Sequence, residues 1–166
     1  MNSNILVCMR SIASLLIKRQ ETVSVAESCT GGLLGAALTE LSGSSAYFLG
    51  GIQAYSNTIK SEILGVKSDS LLSFGSVSQE VASEMAVRTR YLVGSDWAIS
   101  ITGVAGPDGG TPDKPVGTVW IAIADQTCVR SKKLNLKGNR SDIRQESVIS
   151  ALEMLYENLA ERDRAL

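Results

Sequence analysis

No histidine occurs among the 166 residues of this chain. That absence removes every Ser-His-Asp and Cys-His catalytic arrangement, every zinc site built on imidazole, and the H-R-D loop of protein kinases. An enzyme built on this sequence takes its base from Lys, Asp, Glu or Tyr. An excess of one charge is missing too. Sixteen basic residues against 17 acidic ones leave a net charge of -1 and a pI of ≈ 5.5. No global field draws DNA or an anionic membrane, so neither is an expected partner. The three cysteines, Cys8, Cys29 and Cys128, are an odd count without a C-x-x-C pair, and they read as reduced intracellular thiols. No apolar run reaches the length of a membrane span. The first twenty residues are broken by Arg10, close on Lys18-Arg19 and lack an A-x-A cleavage pattern, so a cytoplasmic location is expected.

What is present fits a globular protein. With 44% apolar and 20% charged residues, a chain of this length builds a substantial core, and residues 1–166 read as one domain. Ile5, Met9, Ile12 and Leu16 form a helical stripe. Residues 22–26 make a short apolar strand, 27–32 a Gly-containing turn, and 33–41 a helix: the opening of an α/β unit. A strand follows over 47–55 and a short helix over 57–64. Ser78 suits a helix N-cap, with Glu80 in the first turn and Val81, Met85 and Leu92 on one face up to Gly94. Residues 97–101 form a buried strand, followed by a long Gly-rich loop to Pro115. Residues 116–124 and 128–136 read as a hairpin across Asp125-Gln126-Thr127. A final helix begins near Ser141, with Val148, Leu152, Leu155 and Leu159 in register. The pattern implies a three-layer α/β/α sandwich with a mixed sheet of about five strands. The apolar Tyr47-Phe48-Leu49 stretch is suited to a homo-oligomer contact.

Four segments have chemical potential. Glu27-Ser28-Cys29-Thr30-Gly31-Gly32 ends a strand and opens a helix, where unpaired N–H groups suit phosphate or a developing oxyanion. The same residues also fit a plain βα turn in which Ser28 only caps the helix. A dinucleotide fingerprint is excluded, because Thr30 to Gly35 is one glycine short and no acid follows at about 20 residues. Lys60, after Tyr55-Ser56-Asn57, becomes a base only if burial or a neighbouring cation lowers its pKa, after which it can deprotonate a serine. Otherwise Lys60 is a solvated helix residue and Tyr55 a strand-terminal aromatic. The loop from Thr102 through Gly103 and Gly106 lies, like Ser28, at the carboxyl end of a strand, where open α/β sheets bind ligands. Arg140 precedes the last helix, where its charge opposes the macrodipole by about 0.3–1 kcal/mol unless an anion is shared between them. Cys29 is a helix-start thiol with no imidazole to activate it. No carboxylate pair or cluster marks a glycosidase or a metal site, so no metal and no cofactor are expected.

Ala26-Glu27-Ser28-Cys29-Thr30-Gly31-Gly32, Tyr55-Ser56-Asn57-x-x-Lys60, Gly75-x-Val77-Ser78 and Ile101-Thr102-Gly103-x-Ala105-Gly106-Pro107-Asp108-Gly109-Gly110 follow in order. With Lys114-Pro115-Val116-Gly117-Thr118-Val119-Trp120 and Gly138-x-Arg140, this series resembles the CinA C-terminal domain family over nearly the whole chain. The resemblance implies a three-layer α/β/α fold with a mixed five-stranded sheet. It implies hydrolysis of nicotinamide mononucleotide (NMN) to nicotinic acid mononucleotide and ammonia, in pyridine-nucleotide recycling. By motif, Ser28 is the implied nucleophile and Lys60 with Tyr55 the proton-transfer pair. Thr30, Gly31 and Gly32 would offer backbone N–H groups, Thr102, Gly103 and Gly106 would line the nucleotide, and Arg140 would meet its phosphate. Many members also carry an N-terminal domain similar to molybdopterin-binding proteins, with pyrophosphatase activity. That domain is not matched here, and its metal-dependent activity is not expected. A non-catalytic nucleotide-binding or sensing module, in the competence or DNA-damage response, is the alternative.

Overall fold

The computed structural model describes residues 3–164. Its order is α1 (Ser3–Arg19), β1 (Val23–Glu27), α2 (Leu33–Leu38), β2 (Phe48–Gln53), a π-helical turn (Ile59–Ile63), α3 (Ser68–Phe74), α4 (Gln79–Val93), β3 (Trp97–Gly103), β4 (Thr118–Ala124), β5 (Val129–Asn135) and α5 (Arg140–Arg164). The five strands form one mixed sheet in the order β2-β1-β3-β4-β5. β1 runs parallel to both β2 and β3, while β4 and β5 are antiparallel additions.

The side-chain alternation of the strands assigns the two helical layers. Val25, Ile99 and Ile123 lie side by side across β1, β3 and β4. They belong to one core cluster with Met9, Ile12 and Leu16 of α1, Leu34 of α2, and Leu152 and Leu155 of α5. The opposite face carries small residues: Ala26, Ser100 and Ala122 are in register there. Small side chains let α4 approach closely through Ala82 and Ala86, and Ser100 Oγ donates to the Ala82 carbonyl at 2.6 Å. Bulky residues on one face and small ones on the other thus give an α/β/α arrangement with the sheet buried between helices.

Chain direction then fixes where a ligand site forms. From β1 the chain passes through α2 to β2, and from β2 through α3 and α4 to β3 on the other side of β1. The connections leave toward opposite faces, so a crevice opens beyond the carboxyl ends of β1 and β3. Glu27 and Gly103 end those strands.

Several elements depart from the sequence pattern. Helix α3 had no recognisable signal, because its start is stabilised from a distance: Glu84 of α4 accepts from the Lys67 N–H at 2.8 Å and from Ser70 Oγ at 2.5 Å. The expected helix over 57–64 closes as a π turn, with the Leu64 N–H on the Ile59 carbonyl at 3.0 Å. The second strand is shorter than 47–55, which leaves Tyr55 beyond its end. Helix α2 stops at Leu38, and the hairpin strands begin at Thr118 and Val129. On α4, Ser78 Oγ caps the Val81 N–H as expected, yet Leu92 is 47% exposed and Thr89 takes the buried position below it. Tyr47 is only 1% exposed and donates its hydroxyl to the Leu38 carbonyl. It is therefore a core residue, whereas Leu49 of the same stretch is 47% exposed. The three cysteines are free, and among the described residues no helix is long and apolar enough to cross a membrane.

Candidate active site

The turn after β1 has an unexpected keystone, the Glu27 side chain. Its carboxylate is 1% exposed and accepts from the N–H groups of Gly32 and Leu34 on one oxygen (3.1 and 3.0 Å) and Gly35 on the other (2.8 Å). The first turn of α2 thus receives its negative charge from within the chain. Between these anchors Ser28 is pinned by its N–H on the Ile101 carbonyl, and its own carbonyl accepts from Gly31. Gly31 and Gly32 adopt φ of 57° and 99°, the left-handed region that glycine enters at no steric cost.

Two of the three backbone donors expected at Thr30, Gly31 and Gly32 are already engaged within the chain. The N–H groups of Gly31 and Gly32 are spent on Ser28 and Glu27, so neither is free to hold a phosphate or an oxyanion. Thr30 is fully buried, with its carbonyl accepting from Arg144 Nη2 at 2.8 Å. None of the three lines the cavity described next. An acid just before a Gly-rich helix start is the sequence signal for this internal cap.

A cavity of ≈ 290 Å³ opens at the strand ends, walled by Ser28, Lys60, Tyr55, Thr102, Gly103, Gly106 and Arg140. Ser76, Val77 and Asp108, which carry no chemical signal in the sequence pattern, also line the space. Ser76 and Val77 arrive because Thr102 Oγ1 donates to the Ser76 carbonyl at 2.8 Å, tying the loop before α4 to the end of β3. Gly103 is required by packing: a Cβ there would stand 2.6 Å from Val119 Cγ2 and 2.9 Å from the Thr118 carbonyl. Gly106, with φ of 77°, would likewise strike Val116.

Lys60 is the electrostatic centre. Although charged residues are seldom fully buried, it is 1% exposed. Its Nζ lies 3.0 Å from Ser28 Oγ, 2.8 Å from the Ala54 carbonyl and 3.3 Å from that of Tyr55. Loss of hydration lowers its pKa from 10.5 to about 8. The π turn and the bend at Ala54-Tyr55 aim the amine and supply its acceptors. Cys29 is driven the other way, its thiol raised to about 11 chiefly by burial. It stays protonated at neutral pH.

Tyr55 takes a different place from the one expected. Its side chain is 61% exposed, and its phenol oxygen accepts from Arg140 Nη2 at 3.2 Å. Among the described residues the phenol has no hydrogen bond to Lys60 or Ser28, so no direct relay through it exists in this geometry. Arg140 also donates from Nη1 to the Gly106 carbonyl at 2.8 Å. It spans the mouth of the cavity between the β2 side and the long loop. No group of three or more His, Cys, Asp or Glu side chains among the described residues is placed to hold a metal ion.

A family model described as the CinA C-terminal domain matches residues 7–159. Among curated relatives, a CinA-like protein of Endomicrobium trichonymphae is 49% identical over 145 residues, 87% of this chain and 34% of that protein. One from Thermotoga maritima is 45% identical over 153 residues, 92% of this chain and 37% of that protein. The chain therefore spans about a third of the length of these relatives. Among solved structures, the competence/damage inducible protein CihA from Agrobacterium tumefaciens superposes with a TM-score of 0.93 at 38% identity, covering 96% of this chain and 98% of that one. A CinA superfamily protein from Klebsiella pneumoniae gives 0.92 at 33% identity, covering 96% and 99%.

Proposed function

The chain belongs to the CinA C-terminal domain family, and from that membership and the cavity we propose that it is an amidohydrolase. Its reaction is NMN and water to nicotinic acid mononucleotide and ammonia, with Ser28 as nucleophile and Lys60 as base. The observation that carries this reading is the 3.0 Å contact between Lys60 Nζ and Ser28 Oγ in a buried setting. A neutral amine has two hydrogens and one lone pair. The Ala54 and Tyr55 carbonyls accept the two hydrogens, which leaves the lone pair for the Ser28 hydroxyl. The protonated amine donates to Ser28 Oγ; once it loses a proton it is oriented as a base, without any histidine.

Each proton then has an address. Ser28 Oγ attacks the carboxamide carbon while its proton passes to Lys60. The tetrahedral intermediate collapses as Lys60 returns that proton to the amide nitrogen, which leaves as ammonia. Water attacks the resulting ester, giving a proton to Lys60; Ser28 takes it back as the acid departs. No step needs a metal. Backbone N–H groups of Ala105 and Gly106 face no backbone partner among the described residues, and both residues line the cavity. They are suited to donate to the substrate. Arg140 keeps three of its five donors beyond the two it spends, a complement for a phosphate. A cavity of ≈ 290 Å³ suits a mononucleotide and not a macromolecule.

The test is ammonia release from NMN by purified protein without added metal, paired with calorimetric binding. Wild type should release ammonia, and Ser28→Ala should bind NMN without turning it over. Turnover retained in Ser28→Ala would remove Ser28 as the nucleophile. Binding without ammonia from wild type would leave a nucleotide-sensing module instead.

A further inference from the structure

One charged group on the cavity wall has no task in the scheme above. Lys60 and Arg140 are the cations there, and Asp108 is the acid. Its carboxylate is exposed and, among the described residues, has no hydrogen bond or ion pair. It nevertheless sits on a tethered stretch of chain. Two residues earlier the Gly106 carbonyl accepts from Arg140. Beyond it, Thr111 and Lys114 exchange backbone hydrogen bonds, and Lys114 Nζ donates to the Phe74 carbonyl at the end of α3.

A carboxylate that lines the same cavity as a phosphate-binding arginine repels the phosphate unless it faces hydrogen-bond donors. On the proposed reading, which this inference rests on, the phosphate lies at Arg140 and the carboxamide at Ser28. The group between them is a ribose, whose vicinal hydroxyls offer two O–H donors. A carboxylate has two oxygens and only accepts. We propose that Asp108 accepts from the ribose hydroxyls and makes the site selective for ribonucleotides over their deoxy counterparts. Hydrogen bonds to a charged acceptor are the strong kind, and a site with an unpaired acceptor discriminates against a ligand that lacks the donor.

The experiment compares NMN with 2′-deoxy-NMN on wild type and Asp108→Asn, reading binding by calorimetry and turnover by ammonia. Wild type should prefer the ribonucleotide by about tenfold or more, and the preference should fall to about threefold or less in Asp108→Asn. A preference that survives in the variant overturns the proposal, as does its absence in wild type. A neutral-ring mimic, benzamide riboside 5′-phosphate, separates the remaining possibility that Asp108 faces the cationic pyridinium. Loss of NMN affinity in Asp108→Asn with the mimic unaffected overturns the ribose assignment; parallel losses support it. Binding with the expected sugar preference but no ammonia would sink the amidase and keep the assignment. No binding of either nucleotide to wild type sinks both.

Discussion

Lys60 makes the pH dependence of the reaction calculable. Buried at 1% exposure, with its pKa at about 8, it is neutral at pH 7 in about one molecule in eleven. A lysine at its ordinary value of about 10.4 is neutral in about one in 2,500. Burial therefore multiplies the available base by about 200-fold. The rate should climb with pH as the proton leaves Lys60 and level off above pH 8. Between pH 6.5 and 8.5 the rise should be about 25-fold, in a range that avoids the substrate phosphate titrating near 6. The assay is ammonia release over pH 6.5–9.5, with kcat and kcat/KM taken separately. A profile flat across that range, or one that falls with pH, would refute Lys60 as the base. Lys60→Met should abolish the activity, and Lys60→Arg should not rescue it, since guanidinium has no lone pair at these pH values. Stability follows the same shift. Because the folded pKa is below the unfolded one, the unfolded chain holds the proton more tightly between about 8 and 10.5, and stability should rise with pH through that window.

Arg140→Ala should weaken NMN more than nicotinamide riboside, which lacks the phosphate; equal losses, measured by calorimetry, would exclude a phosphate contact. Glu27→Ala leaves the N–H groups of Gly32, Leu34 and Gly35 without their acceptor and should cost about 2–4 kcal/mol. That is a drop in Tm on the order of 10 °C for a chain of this size. Thermal melting of the variant checks it, and an unchanged Tm would mean that water replaces the carboxylate without loss.

The parts legible in the sequence were those governed by local rules. Met9, Ile12 and Leu16 lie at helical spacing and are buried together, as are Val148, Leu152, Leu155 and Leu159. Ser78 caps α4 because a hydroxyl before a helix reaches a backbone N–H wherever the chain folds. Elements that depend on distant partners were not legible. Helix α3 starts on a carboxylate from α4, and the α2 N-terminus is closed by a residue in the preceding strand. That second contact bears on the chemistry, since the same carboxylate occupies the Gly32 N–H that an anion would otherwise meet.

The sequence by itself determined that no imidazole takes part, that the sheet is mixed with α layers, and which short motifs meet at strand ends. It supplied Lys60 as a candidate base but not its pKa. Desolvation depends on how completely the rest of the chain closes around the amine, and only the packed structure sets that. Only the tertiary structure decided that Lys60 Nζ reaches Ser28, while the Tyr55 phenol turns outward to Arg140. Thirty-two residues separate Ser28 from Lys60 along the chain. They meet because β1 and β2 run parallel, which brings both carboxyl ends to one edge of the sheet.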